Sequence, residues 1–218
     1  MRLGILGGTF DPIHLGHLRL AEEVGEELRL ETVYLIPAAM PPHKEGGPIT
    51  PFHHRLRMTQ LAAQESPILK ALDLEGRRQG LSYSIETLQQ FHQLCGPDLE
   101  LFFILGMDAF LEIETWKDYE RLFDYAHFVV IQRPGVPSGE IKSFLRRLGL
   151  DVREKEEGNA YIFPSGHFLI YDKATLMDIS STGIREKVAT GKSIRFLVPE
   201  VVRTYIIENR LLGFHGGS

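Results

Sequence analysis

The sequence is poor in cysteine and has no long apolar run. Cys95 is the sole cysteine among 218 residues, which excludes an intrachain disulfide and favours a reducing compartment. No apolar run approaches the ~20 residues that a helix needs to cross a bilayer. The N-terminus also lacks the shape of a signal peptide, because the run from Leu3 to Leu6 leads at once into glycines. We therefore expect a cytoplasmic protein with no membrane role.

An excess of positive charge is missing as well. The chain has 29 acidic and 24 basic residues, a formal net charge of -5, and its basic residues cluster only in pairs such as Arg146 and Arg147. A protein that binds polyanions usually carries a basic face, whereas one that binds a single nucleotide needs only a few placed cations. The charge pattern therefore argues against a nucleic-acid partner.

Strand-like and helical segments alternate along the chain, which predicts an α/β protein with a parallel sheet. Several strand-like runs are almost continuously apolar, as expected for strands covered on both faces. The strand-like runs are Leu3 to Leu6, Thr32 to Ile36, Leu69 to Leu74, Leu101 to Leu105, His127 to Ile131 and Phe168 to Tyr171. The helical ones are His14 to Leu28, Phe52 to Gln64, Ser84 to Leu94, Asp118 to Phe123, Ser138 to Leu148, Thr182 to Thr190 and Pro199 to Asn209.

The length predicts one domain over residues 1–218, with an α/β core in 1–175 and a small helical part in 176–218. Pro37 to Pro51, with five prolines and two glycines, is longer than a connection requires and is typical of a loop that closes over a site. The charged segment from Arg153 to Gly158 is predicted to be a solvated turn.

The most informative run is GGTFDPIHLGH, which follows the first strand-like segment. Gly7 and Gly8 at a strand-to-helix turn let the backbone approach a ligand closely, and the helix N-terminus beyond presents free N–H groups to an anion. The alternative is a tight turn without a ligand. The glycine pattern of dinucleotide-binding dehydrogenases, G-x-G-x-x-G, is absent from this turn.

Two histidines open the helix that follows. His14 and His17 are three residues apart and share one helix face, and Gly16 between them leaves that face open to a bulky ligand. They could instead be surface or capping residues. A zinc pair is a further alternative, but the chain has no second cluster that would supply the remaining tetrahedral ligands.

A second candidate anion site lies in the run Ile179 to Arg185, ISSTGIR. Hydroxyl side chains before a helix ordinarily cap it, and capping alone would explain Ser180 and Ser181. Arg185 in the first turn adds a cation to a helix N-terminus, which favours an anion there.

The eleven-residue run, together with ISSTGIR and the run Pro41-Pro42-His43-Lys44, resembles the nucleotidyltransferase superfamily that carries an HxGH signature. Within that superfamily it is most similar to the bacterial nicotinate-nucleotide adenylyltransferases. The segments Ser82 to Leu88 and Gly106 to Phe110, followed by Trp116, extend the resemblance. It implies a Rossmann-like, doubly wound parallel sheet of five to six strands with a small C-terminal helical subdomain.

The resemblance implies transfer of the adenylyl group of ATP to nicotinate mononucleotide in NAD biosynthesis, giving nicotinate adenine dinucleotide and pyrophosphate. Mg2+ is expected to bridge the substrate phosphates, without a dedicated protein site. The implied catalytic residues are His14, His17, Lys44 and Arg185. The implied ATP-binding residues are Gly7, Gly8, Thr9, Phe10, Gly16, Gly106, Asp108, Ile179, Ser180, Ser181 and Thr182. The implied mononucleotide-binding residues are His43, Lys44, Ser82, Tyr83, Ser84, Trp116 and Arg133.

Two positions depart from the family pattern, which usually has threonine where Ser84 stands and a small residue where Met107 stands. The residues are also compatible with four alternatives: an enzyme that prefers nicotinamide mononucleotide or accepts both mononucleotides, transfer to pantetheine phosphate, a cytidylyl transfer, and a nucleotide-binding protein without catalysis. An RNA-binding module is disfavoured by the lack of a basic surface. The sequence leaves open whether the chain forms homo-oligomers, and whether Asp11, Glu86 and Asp108 contact substrate.

Overall fold

The fold is described from a computed structural model over residues 1–41, 49–131, 139–155, 160–172, 174–175 and 177–214. Its centre is a sheet of eight strands: β1 (Arg2–Gly8), β2 (Thr32–Pro37), β3 (Leu69–Ala71), β4 (Glu100–Gly106), β5 (His127–Ile131), β6 (Arg153–Glu154), β7 (Ala160–Ile162) and β8 (Phe168–Asp172). The strand order is β3-β2-β1-β4-β5-β8-β7-β6. The strands β3, β2, β1, β4, β5 and β8 run parallel, which confirms the predicted α/β class with a parallel sheet. The sheet has eight strands, however, rather than the predicted five to six.

The antiparallel edge of the sheet was not predicted. β7 pairs antiparallel with β8, and β6 with β7, in the register Arg153↔Ile162. The prediction of a solvated turn from Arg153 is therefore wrong for Arg153 and Glu154, and residues 156–158 lie outside the described residues. Two exposed charged residues carry no apolar alternation, so the pairing of β6 depends on its neighbour rather than on its own sequence.

The helices occupy both faces of the sheet. They are α1 (Leu15–Glu27), α2 (Phe52–Ala63), α3 (Ser84–Cys95), α4 (Met107–Leu111), α5 (Tyr119–Leu122), α6 (Gly139–Arg147), α7 (Ser181–Ala189) and α8 (Glu200–Glu208), with a 3-10 helix at Ile113–Thr115. The short α4 and the 3-10 helix were not predicted, because one or two turns show no clear periodicity. None of the helices in the described part of the chain is long and apolar enough to cross a membrane.

Two apolar clusters lie on opposite faces of the sheet because side chains alternate along each strand. Along β4, Phe103 belongs to one cluster, with α3, α4, α5 and α6, whereas Phe102 and Ile104 belong to the other, with α1, α2, α7 and α8. The C-terminal helices therefore pack on the same side of the sheet as α1.

The strand order places a crevice between β1 and β4. β2 and β3 lie on one side of β1, and the chain then returns to add β4 on the other side. In open parallel sheets, ligands bind at the carboxyl ends of the strands where the order reverses in this way. Here those ends are Gly8 for β1 and Gly106 for β4.

Candidate active site

The crevice between β1 and β4 is kept open by glycines. Gly7 and Gly106 are both exposed at the ends of their strands. A Cβ atom at Gly106 would meet nothing within 4 Å, and the φ of -74° at this residue is accessible to any amino acid. Glycine at this position is therefore not demanded by the backbone, and a side chain there would fill the crevice.

The loop from β1 into α1, residues Gly7–His14, is called the phosphate loop below. A Cβ on Gly8 would lie 2.9 Å from the ring of Phe10, so the close packing of that ring requires glycine. Phe10 has a positive φ of 48° and is 2% exposed. Its ring meets that of His17 edge-on, with centroids 5.0 Å apart. Phe10 therefore supports His17 from the core rather than facing solvent.

His14 and His17 form one unit at the start of α1. His14 is the N-cap residue, with extended backbone, and its N–H donates to Nδ1 of His17 over 3.3 Å. The two imidazoles stack with centroids 3.6 Å apart. Because Nδ1 of His17 accepts this bond, its proton is placed on Nε2, which can donate to a ligand. Nδ1 of His14 is buried without a partner in the described structure.

Burial keeps both imidazoles neutral. Desolvation lowers the pKa of His14 from 6.5 to about 4. It also lowers the pKa of His17 well below 6.5, with a further contribution from the charge that His14 would carry. At pH 7 the pair therefore offers neutral N–H donors, while a bound polyphosphate would favour their protonated forms.

Gly16 lies next to the stacked rings. A Cβ on this residue would be 3.1 Å from Nδ1 of His14 and 3.7 Å from the backbone oxygen of Met177. The glycine therefore makes room for His14 and for the segment that leads into α7.

The N-terminus of α7 is joined to the phosphate loop. Ser180 is the N-cap residue, and its Oγ accepts from the N–H of Gly183 over 3.1 Å, as the capping interpretation predicts. The Oγ of Ser181 donates to the backbone oxygen of Pro12 over 2.9 Å. Ile179, just before the helix, packs against the apolar cluster that contains α1. Two helix N-termini thus meet at one place.

Arg185 makes the second link between these elements. Its Nη1 donates to the backbone oxygen of Asp11 over 2.8 Å, and its Nη2 donates to Oγ1 of Thr182 over 3.0 Å. These bonds hold the guanidinium beside the phosphate loop. The structure therefore brings Arg185 to the loop that carries His14 and His17, although Arg185 is far from both histidines in sequence.

The candidate mononucleotide residues lie on the other side of the crevice. Tyr83 is the N-cap of α3, and Ser84 is the first residue of that helix. Nζ of Lys117 lies 4.5 Å from the Tyr83 ring centroid, and partly buried Trp116 meets Phe103 edge-on with centroids 6.1 Å apart. Neither Tyr83 nor Trp116 is fully buried, so each keeps an accessible surface.

Ser82 has its hydroxyl engaged by the backbone. Its Oγ accepts from the N–H groups of Ala39 and Met40 over 2.9 and 3.1 Å, and its own N–H donates to the oxygen of Met40. Ser82 therefore fixes the segment after β2.

At the end of β4, Gly106 is the N-cap of α4 and Asp108 is exposed in its first turn. Met107, the position that departs from the family pattern, is 1% exposed and packs in the apolar core. Its side chain therefore does not narrow the crevice. His43, Lys44 and Arg133 lie outside the described residues.

Arg55 in α2 was not among the predicted site residues, although it lies directly behind the site and is 2% exposed. It hydrogen-bonds backbone oxygens of the phosphate loop, of the segment after β2 and of Thr50. Burial lowers its pKa, and the nearby Asp11 carboxylate opposes that effect. One signal was available: Arg55 shares a helix face with the apolar Met58 and Ala62, an unusual place for a charge.

Comparison with known proteins agrees with this geometry. The family model described as Cytidylyltransferase-like matches residues 5–187. A protein of Desulfatibacillum aliphaticivorans named "Probable nicotinate-nucleotide adenylyltransferase" is 47% identical over 212 residues, covering 94% of this chain and 97% of the relative. A protein of the same name from Syntrophotalea carbinolica is 46% identical over 215 residues, covering 97% of both chains.

Solved structures with the same fold are more distant in sequence. Nicotinic acid mononucleotide adenylyltransferase of Plasmodium falciparum, complexed with NaAD, aligns with a TM-score of 0.75 at 21% identity and covers 98% of both chains. The complex of that protein with APC gives a TM-score of 0.73 at 20% identity, again covering 98% of both chains. These structures show that the fold is shared over the 98% of the chain that the alignments cover.

Proposed function

Because the chain belongs to the cytidylyltransferase-like family and, within it, to the nicotinate-nucleotide adenylyltransferases, we propose that it transfers the adenylyl group of ATP to nicotinate mononucleotide. The products are nicotinate adenine dinucleotide and pyrophosphate, so the enzyme acts in NAD biosynthesis. The observation that carries this proposal is the identity of 47% that extends over almost the full length of a relative with that name. The protein is a nucleotidyltransferase.

In the proposed reaction, a phosphate oxygen of nicotinate mononucleotide attacks the α-phosphorus of ATP. The bond from that phosphorus to the oxygen bridging to the β-phosphate breaks, and pyrophosphate leaves with the electron pair. This kind of transfer requires little covalent chemistry from the protein, which must align the reactants and stabilise charge on the phosphate oxygens. Positioned N–H donors and cations are sufficient.

The stacked histidines supply such donors. In the proposal, Nε2–H of His17 donates to the phosphate group that reacts, and His14 donates to the adjoining polyphosphate. Support comes from the low pKa of both rings, which makes them neutral donors at pH 7. Their place at the N-terminus of α1 adds the positive end of that helix's dipole, whereas the backbone N–H of Leu15 already donates to the oxygen of Leu197. Developing negative charge is thus met by donors that are already oriented.

Arg185 and Lys44 are proposed to neutralise the polyphosphate and the leaving pyrophosphate. The guanidinium of Arg185 is already held beside the phosphate loop by Asp11 and Thr182. Lys44 would act as a point charge towards phosphate, as lysine commonly does. Gly7, Gly8, Thr9, Gly16 and Gly106, with the start of α7, would form the rest of the ATP site.

Mg2+ is proposed to enter as part of the substrate, MgATP. Magnesium prefers phosphate and water oxygens to a cage made by protein alone. Among the described residues no group of three His, Cys, Asp or Glu side chains is arranged to hold a metal ion. The preference of magnesium for phosphate and water oxygens is the reason that we assign the metal to the polyphosphate.

The nicotinate ring is proposed to bind near Tyr83, Ser84 and Trp116, and His43 and Arg133 are proposed to contribute to the same site. An electron-poor pyridine ring stacks favourably on an indole. The partly buried Trp116 keeps an accessible ring surface, which supports this role. We further propose a cytoplasmic location, in keeping with the free cysteine Cys95.

The test is pyrophosphate release from ATP and magnesium with nicotinate mononucleotide and, separately, with nicotinamide mononucleotide. We expect release with the acid at a kcat/KM well above that with the amide. Comparable values would replace the proposal with dual specificity. No release with either substrate would overturn adenylyl transfer to a pyridine mononucleotide and would turn attention to other acceptors, such as pantetheine phosphate.

A further inference from the structure

We propose that Arg55 is a positioning residue, which holds the phosphate loop at a fixed distance from the wall that carries the candidate mononucleotide residues. The inference rests on the proposed function. Arg55 itself lies in α2 and is 2% exposed, so in this proposal it acts through the loops that it binds rather than by contact with substrate.

The guanidinium of Arg55 joins three separate stretches of backbone. Nη1 donates to the oxygen of Thr9 in the phosphate loop and to the oxygen of Ala38, both over 2.7 Å. Nη2 donates to the oxygen of Ala39 over 3.2 Å. Nε donates to the oxygen of Thr50 over 2.8 Å. One side chain thus ties the end of β1 to the segment that follows β2 and to the residues just before α2.

This set of partners requires an arginine. Its five N–H donors lie in a rigid planar fork, so they can reach carbonyl oxygens in several fixed directions at once. A lysine keeps the charge, but its three donors diverge from one nitrogen and cannot span the same acceptors. Burial of a charge is unfavourable unless its donors are used, and here the hydrogen bonds go to backbone oxygens of the loops that form the site.

The connection continues to the mononucleotide side through Ser82. Arg55 binds the backbone oxygens of Ala38 and Ala39, while the Oγ of Ser82 accepts from the N–H groups of Ala39 and Met40. The segment 38–40 is therefore held from both sides. Ser82 directly precedes Tyr83, the N-cap of α3. A displacement of Arg55 would thus be transmitted from Thr9 to the start of α3.

The consequence concerns the reaction rather than binding. In-line attack requires the phosphate oxygen of one substrate to be aligned with the α-phosphorus of the other and to lie at the right distance from it. A misplacement of about 1 Å far from the chemistry can lower the rate about 10²-fold. Each substrate still contacts its own wall, so its affinity is expected to change much less.

The experiment compares the variants R55K and R55M with R57K, a matched control in the same helix, because Arg57 is exposed. For each protein, kcat and both KM values are measured by pyrophosphate release, and melting temperature is recorded. Amide hydrogen exchange is then compared residue by residue. If R55M does not fold, R55K and S82A carry the test, since the S82A change removes the acceptor on the other side of segment 38–40.

We expect R55K to lower kcat about 10²-fold while either KM changes less than about threefold. Exchange should rise at the amides of Ala39 and Met40 and stay unchanged in the centre of β4. R57K should match the wild type. A folded R55K with kcat within twofold of the wild type would overturn the inference, and so would a uniform rise in exchange, which signals a general loss of stability. Amide exchange is measured without substrate, so its result does not depend on which substrate the wild type uses. If the proposed function is wrong, the wild type itself will release no pyrophosphate, and this outcome is distinct from failure of the inference about Arg55.

Discussion

The imidazole rings of His14 and His17 are stacked, with centroids 3.6 Å apart and planes 21° from parallel. At this separation a proton on one ring opposes a proton on the other, and burial already disfavours both. The N–H of His14 meanwhile fixes the tautomer of His17. The two rings therefore act as a pre-oriented pair of neutral donors.

Replacing His17 by alanine removes the donor that we place at the reacting phosphate. Loss of one such donor from an oxyanion site typically costs ~2.7–4 kcal/mol of transition-state stabilisation, which corresponds to about 10²–10³ in kcat. We expect H17A to show this fall in steady-state pyrophosphate release. H53A is the control, since His53 is an exposed histidine on α2. Near-normal turnover by H17A would remove His17 from the mechanism.

Acid should destabilise the protein through His14. The pKa of this residue is about 4 in the folded state, against about 6.5 in the unfolded chain. As pH falls from 6.5 towards 4, the unfolded state takes up the proton first, so the free energy of unfolding decreases. The pKa difference of His14 alone accounts for about 2 to 3 kcal/mol of this decrease in the free energy of unfolding at pH 4.5.

Urea denaturation at pH 7 and pH 4.5 measures this effect. The decrease in the free energy of unfolding between the two values should be smaller in H14Q than in the wild type, by about the share given above. NMR titration of the His14 ring gives the pKa directly, and addition of ATP should raise it. A His14 ring that titrates near 6.5 in the free protein would contradict the prediction.

The family and the α/β class were both predicted from sequence and are confirmed. The reason is local: the glycines that end β1, the histidines of α1 and the hydroxyl residues before α7 each carry a pattern within a few consecutive residues. The apolar runs of β4 and β5 likewise reveal buried strands without any knowledge of their neighbours.

What could not be predicted depends on partners distant in the chain. Arg55 binds the backbone oxygens of Thr9, Ala38 and Ala39. Because every residue type has a backbone carbonyl oxygen, the sequence does not reveal which of them a side chain binds. The two backbone N–H groups that donate to the hydroxyl of Ser82 could not be predicted from residue types either, and the resemblance implied only that Ser82 binds the mononucleotide. Strand β6 exists only because β7 lies beside it.

Replacing Thr182 by valine should weaken ATP binding without disturbing the fold. The side chain keeps its shape but loses the Oγ1 that accepts from Nη2 of Arg185 over 3.0 Å. A hydrogen bond of this kind contributes about 0.5–1.5 kcal/mol, so KM for ATP should rise about twofold to tenfold. Steady-state kinetics at saturating mononucleotide measure it.

The matched control for this change is T190V, at the far end of α7, where Thr190 bonds only backbone oxygens in the hydrogen bonds described. Its KM for ATP should equal that of the wild type. An unchanged KM in T182V would mean that the bond to the backbone oxygen of Asp11 alone places Arg185.

Two glycine substitutions should have opposite effects: G106V should lower activity but not stability, and G96A should lower stability but not activity. Gly106 ends β4 with φ of -74° and has open space where a Cβ would lie, so G106V should fold with a melting temperature near that of the wild type. Its side chain would occupy the crevice, and pyrophosphate release should fall steeply. Gly96 also has open space around it, but its φ of 79° is strained for any other residue.

G96A should therefore lose about 1 kcal/mol of stability and keep its kcat, because Gly96 follows α3 at the opposite, amino-terminal end of β4. Thermal denaturation and pyrophosphate release on both variants provide the comparison. If G106V retained activity, the crevice at the carboxyl end of β4 would not hold substrate. If G106V lost stability instead, the fold itself would require glycine at this position. A fall in activity could then not be attributed to a blocked crevice.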